Sequence, residues 1–104
     1  MGSKFDGSRY ITSGIQETIP LAIQIMMFES LAFMERRAGE LDYLQVFKLN
    51  TTGEGGSRML YIRHEQEQPE GKVEYYIPVE STIECKAFVI DDVEYVTMLL
   101  AEEY

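Results

Sequence analysis

From Leu21 to Ala38 the chain carries neither glycine nor proline, and its apolar positions recur at helical spacing. One row is Ile23, Met27, Leu31, Met34 and Ala38; a second is Leu21, Ile25, Phe28 and Ala32. Ala22, Met26 and Phe33 fall on neither row. The predicted helix is therefore apolar nearly all round, more than one sheet face would cover. Thr18 reads as its N-cap, with Pro20 tolerated in the first turn. Arg36 and Arg37 suit the negative end of the helix dipole, and Gly39 suits the position just past the end.

Elsewhere the period is two. Arg9–Ser13 reads as a short strand ending at Gly14, with Ile15–Ile19 a connection to the helix. Asp42–Leu49 and Arg58–Gln66 read as a hairpin around the glycine-rich Asn50–Ser57. Lys72–Glu80 alternates, with Val73, Tyr75, Ile77 and Val79 on one face. Its Pro78 points to an edge strand. Thr82–Ile90 is apolar, and Asp91-Asp92 signals a turn. Val93–Ala101 fits a strand or a helix; its leading β-branched and aromatic residues favour a strand paired with Thr82–Ile90. The expected fold is α+β: one main helix on a mostly antiparallel sheet of about five to six strands, in the order β-α-β-β-β-β-β. Residues 1–8 read as a disordered or non-native start, and 9–104 as a single domain.

Composition fits a globular domain, at 104 residues and 45% apolar content. No apolar run reaches the roughly 18 residues of a membrane-spanning helix, and the start has no secretory-signal pattern. The net charge is −9. Residues 1–38 balance four acids with four bases, whereas 39–104 carry fourteen acids and five bases. Such a surface repels nucleic-acid phosphates and anionic lipid, so neither nucleic acid nor membrane is expected as a partner. The single cysteine, Cys85, cannot staple the domain, which suits a reducing, cytoplasmic setting.

Several stretches resemble a small family of Gram-positive bacterial proteins known only as a domain of unknown function. They are Arg9-Tyr10-Ile11-Thr12-Ser13-Gly14-Ile15 with Glu17-Thr18-Ile19-Pro20-Leu21, then Leu41–Phe47, Val89–Asp92 and Thr97–Tyr104. The resemblance implies a cytoplasmic bacterial protein and brings no activity, cofactor or catalytic residue.

No constellation of chemical groups stands out. His64, beside Arg63 and Glu65, reads as an exposed strand-end residue. Asp91, Asp92 and Glu94 lack the ligand spacing of a calcium loop. Gly53-Glu54-Gly55-Gly56 is not followed by the lysine and helix of a phosphate-binding loop. No catalytic residue, cofactor or metal is assigned. Adjacent Tyr75 and Tyr76 must point to opposite faces, one under the helix and one displayed. The sequence therefore favours a non-enzymatic protein-interaction or regulatory adaptor, a homo-oligomer or bound to a protein partner. Met26, Phe33 and Tyr76 are its candidate interaction residues. The alternatives are a small enzyme or small-molecule-binding domain with a pocket between helix and sheet, and an acidic mimic of nucleic acid.

Overall fold

A computed structural model describes residues 5–104. Two helices lie on one face of a six-stranded sheet. Strand β1 (Ser8–Ile11) leads into helix α1 (Ser13–Thr18) and helix α2 (Leu21–Ala38). Strands β2 (Leu44–Thr52), β3 (Met59–Gln66), β4 (Gly71–Pro78), β5 (Glu84–Asp91) and β6 (Tyr95–Leu100) follow, with short 3-10 turns at Gly55–Ser57 and Ala101–Glu103. The order across the sheet is β1-β6-β5-β2-β3-β4, antiparallel throughout except for the parallel β1–β6 pair. The α+β class, the main helix and both hairpins agree with the sequence, and β4 is an edge strand as Pro78 indicates.

The start of the chain differs from expectation. Ile15–Ile19 is not a plain connection, because Ser13–Thr18 is helical. Thr12, read as a strand residue, is the cap of α1: its Oγ1 accepts from the Ile15 N–H at 3.2 Å. Thr18 ends α1 and does not cap α2. The residue before a proline avoids the helical region. Ile19 is accordingly extended, and Pro20 itself caps α2, its carbonyl accepting from Ile23 N and Gln24 N. Residues 1–4 of the start expected to be disordered lie outside the described residues. Residues 5–8 are part of the domain: Phe5 is buried, its N–H donates to Asp91 Oδ2, and β1 begins at Ser8. At the other end of α2, Gly39 takes φ 95°, a left-handed conformation that side chains resist, and its N–H donates to Glu35 O.

The core lies between the helices and the sheet. Ile23, Met27, Phe28, Leu31 and Met34 of α2 and Ile15 of α1 meet Phe47, Leu49, Leu60, Ile62, Ala87, Val89, Val96 and Met98 of the strands. Fully burying each such side chain is worth about 1.5–3 kcal/mol. α2 packs on β4 and α1 on β6. Gly71, at the start of β4, lets the end of α2 come close. A Cβ there would stand 2.6 Å from Met34 Sδ and 3.1 Å from Ala38 Cβ. The chain's end closes the other side. Glu103 Oε1 accepts from Thr12 Oγ1 at 2.7 Å and from Leu100 N at 2.8 Å. These bonds, the Thr12 one first, hold the Glu103 carboxyl below its usual pKa.

Candidate functional site

Two polar features stand out from this frame, one inside the core and one on the uncovered face. Inside, His64 is fully buried, at 0% exposure, which corrects its reading as an exposed strand-end residue. The physical reason is phase: His64 alternates with Leu60, Ile62 and Gln66 and points under the helices, while Arg63 and Glu65 point away. It stacks on Phe47 at 4.0 Å between centroids. Its Nδ1 lies 2.7 Å from Ser30 Oγ, and its Nε2 lies 2.6 Å from Gln45 Oε1.

The hydrogen-bond directions follow from the far end of the chain of contacts. Gln66 Nε2 donates to Glu40 O and Pro69 O, so Gln66 Oε1 is the acceptor. Gln45 Nε2 donates to that oxygen at 2.7 Å and to Asp42 O, which leaves Gln45 Oε1 as an acceptor. His64 must therefore carry its proton on Nε2 and accept at Nδ1 from the Ser30 hydroxyl. The Tyr75 hydroxyl, 2.6 Å from Ser30 Oγ, then donates to it. Burial pushes the His64 pKa down to about 3, so the ring is neutral.

A serine, a histidine and an amide in line invite comparison with a nucleophile and its base. Here the geometry gives a substrate no access. Ser30 is 1% exposed, and the ring nitrogen facing away from it is committed to Gln45. The chain fixes how α2 sits on β2, β3 and β4. Its signal was present in the sequence: Ser30 falls in phase with Met27 and Met34, and His64 with Ile62.

The second feature is the bare face of the sheet. Strand register aligns side chains there in rows. One row is Lys86 (β5), Lys48 (β2), Arg63 (β3) and Glu74 (β4). The adjacent row is Leu99, Phe88, Val46, Glu65 and Lys72, and the next is Tyr10, Thr97, Ile90 and Leu44. Leu44, Val46, Lys48, Arg63, Lys72 and Lys86 line a concavity of about 960 Å³. Glu65 sits between cations, 3.4 Å from Lys48 Nζ and 2.8 Å from Arg63 Nε; the latter is a Coulombic contact without hydrogen-bond alignment. Lys72 Nζ is 3.9 Å from Glu74, which also accepts a short hydrogen bond from the Tyr61 hydroxyl. That bond raises the Tyr61 pKa and lowers that of Glu74. Sequence reading missed this grouping because the cations are distant along the chain and only register brings them together.

The candidate interaction residues do not form one surface. Met26 is half-buried and Phe33 is 49% exposed, both on α2, where Phe33 meets Tyr75 edge-on and carries the Arg36 guanidinium over its ring. Tyr76, 66% exposed, stands on the opposite, bare face beside Tyr61. Cys85 is half-buried on the helix side. Burial first, then Glu102, raises its pKa and keeps the thiol protonated. Among the described residues no cluster of potential ligands could hold a metal, and no helix is long and apolar enough to cross a membrane.

The same fold occurs in the crystal structure of a protein of unknown function from Enterococcus faecalis. The two agree with a TM-score of 0.78 over 100% of this chain and 98% of that one, at 21% sequence identity. No curated protein matches the chain. Residues 8–103 match the family described as Staphylococcal protein of unknown function (DUF960), and the chain belongs to that family.

Proposed function

We propose that this is a non-enzymatic protein-interaction domain of the cytoplasm and that its partner docks on the bare face of the sheet. The observation that carries the reading is the composition of that face. A six-stranded sheet is covered by helices on one side, and the other side presents Leu44, Val46, Phe88, Ile90 and Leu99 half-buried in adjacent rows, with Leu44 and Val46 in the concavity and Phe88 edge-on to Tyr104. Contiguous apolar surface of this kind, rimmed by charge, marks sites of association. The narrower reading adds self-association through the outer side of α2, where Leu21, Ile25 and Phe33 are exposed.

The test is parallel capture of partners by the wild type, by Val46→Gln/Phe88→Gln and by Phe33→Glu, all checked for native circular dichroism. A stoichiometric protein retained by the wild type and by Phe33→Glu, but lost from the double variant, supports docking on the bare face. A partner that the double variant holds equally well overturns it. A tightly bound metabolite in place of a protein turns the reading toward a small-molecule-binding domain.

A further inference from the structure

We propose that Lys48, Arg63, Lys72 and Lys86 form the recognition site for a short acidic segment of a partner protein, with apolar side chains beside its carboxylates. This rests on the reading above that the bare face docks a polypeptide. Four of the chain's nine basic residues line this one concavity together with four acids, Glu65 among the cations and Asp42, Glu67 and Glu70 toward one end. Three of them stand in direct cross-strand register: Lys48 faces Lys86 on one side and Arg63 on the other. Like charges placed opposite each other weaken a sheet. The ion pairs with Glu65 and the Lys86–Phe88 contact offset part of that cost, and what the row meets accounts for the rest.

At the cations themselves bases outnumber acids, Lys48, Arg63, Lys72 and Lys86 against Glu65 and Glu74. Among the contacts described, Lys48 and Arg63 share Glu65, and Lys72 has Glu74 at the long distance of 3.9 Å. Lys86 Nζ lies 5.7 Å over the Phe88 ring. Two added carboxylates would balance the row. Across strands spaced about 4.8 Å apart, Lys86 to Glu74 spans roughly 14 Å, the reach of a short segment. The row lies directly beside Leu99, Phe88 and Val46, so carboxylates over the cations bring the segment's neighbouring side chains over apolar floor. Concavity argues against a second copy as the occupant: two concave faces meet at their rims and leave the middle empty, whereas a convex segment fills it. At the other end of the concavity Glu67 and Glu70 repel further acidic residues and limit the segment's length.

The experiment follows the backbone amide resonances of the full chain during titration with a short synthetic peptide alternating Glu and Leu. Its Gln–Leu counterpart and inorganic phosphate are titrated in parallel. The Glu–Leu peptide is expected to shift amides around Lys48, Arg63 and Lys86. The Gln–Leu peptide should bind at least about tenfold more weakly. In Lys48→Gln/Lys86→Gln, affinity for the Glu–Leu peptide should fall about tenfold while the melting temperature does not fall. Equal binding of the two peptides on this face overturns the acidic partner and leaves the docking face standing. Phosphate acting as strongly as the peptide overturns a polypeptide ligand in favour of a small anion. The absence of bare-face shifts with either peptide overturns both readings. A lower melting temperature with unchanged affinity shows that the cations serve the fold, and the proposal fails.

Discussion

Lowering the pH from neutral toward 5 protonates His64 in the unfolded chain but not in the folded one. The ordinary value of 6.5 applies to the unfolded state, and burial sets the folded value at about 3. Between them the unfolded state binds the extra proton, so stability is complete above the upper value and is lost as the pH falls toward the lower one. The cause is desolvation. The ring's neighbours, Ser30, Tyr75, Gln45 and Phe47, bring no charge that could welcome an imidazolium. Each unit of displacement is worth about 1.4 kcal/mol. From neutral pH to 5 the loss is then about 2 kcal/mol, a large share of the 5–15 kcal/mol typical of a domain. Acid also relieves repulsion among eighteen carboxyl groups, which acts the other way. The measurement must therefore be a difference. His64→Gln removes the titration, keeps a donor toward Gln45 and shares the same background charge. Urea unfolding at several pH values should find the wild type more stable at neutral pH. Its lead should shrink by about 1.4 kcal/mol per unit below 6.5, a relative midpoint shift of about 1–2 M urea by pH 5. Glu74 and Glu103, whose pKa values are lowered from the ordinary 4.5, titrate below this window. A lead that stays constant from neutral pH to 5 would refute a buried neutral His64.

Two further variants test other parts of the molecule. Phe33→Glu should convert a self-associating chain into a folded monomer by light scattering with circular dichroism retained, its stability within about 1 kcal/mol of wild type because the ring is 49% exposed; a wild type already monomeric at tens of micromolar refutes the helix contact, and an unfolded variant assigns Phe33 to its own core. Val93 has φ 67° at 84% exposure in the β5–β6 turn, so Val93→Gly should gain about 1 kcal/mol in thermal unfolding, whereas an equal gain from Val93→Ala, which keeps the Cβ, would refute strain as the cause.

What could be read from the sequence was local in origin. α2 announces itself through its uninterrupted apolar spacing and Gly39. The β2–β3 and β5–β6 hairpins announce themselves through turn residues between alternating runs. α1 does not, because Ser13-Gly14 is a weak helix start and Ile15 and Thr18 favour extended backbone. It is held by distant parts of the chain: Ile15 is buried against the core, and the Glu103 carboxylate closes on Thr12. The parallel pairing of β1 with β6 joins nearly the two ends of the chain, and no local pattern encodes it. β2 outruns its expected end at Leu49 because Thr51 and Thr52 still pair with Leu60 and Met59, and Thr51 Oγ1 also bonds the Ile83 backbone. The charged neighbours Arg63 and Glu65 point to exposure of His64, whereas its phase with Leu60 and Ile62 decides its place. The cation row could not be read at all, since Lys48, Arg63 and Lys86 become neighbours only through the registers of three strands.

A chain of net charge −9 is an unexpected host for an acidic ligand, and the length scale of screening resolves the conflict. At physiological salt the Debye length is about 8 Å, so a carboxylate over the row feels Lys48, Arg63, Lys72 and Lys86, with Glu65 and Glu74 among them, more strongly than acids far from the concavity. Approach from a distance is slowed by the net charge, whereas the bound state is governed by the local one. The same scale discriminates between polyanions. A duplex carries a phosphate charge every 1.7 Å or so of its axis and extends far beyond the roughly 14 Å row. Laid across the concavity it would run onto Glu67 and Glu70 at one end, and repulsion there would offset what the lysines contribute. A short acidic segment ends before that rim. On this proposal the acidity of the rest of the molecule and the basic row on its bare face act together: the first opposes long polyanions, and the second favours a short one.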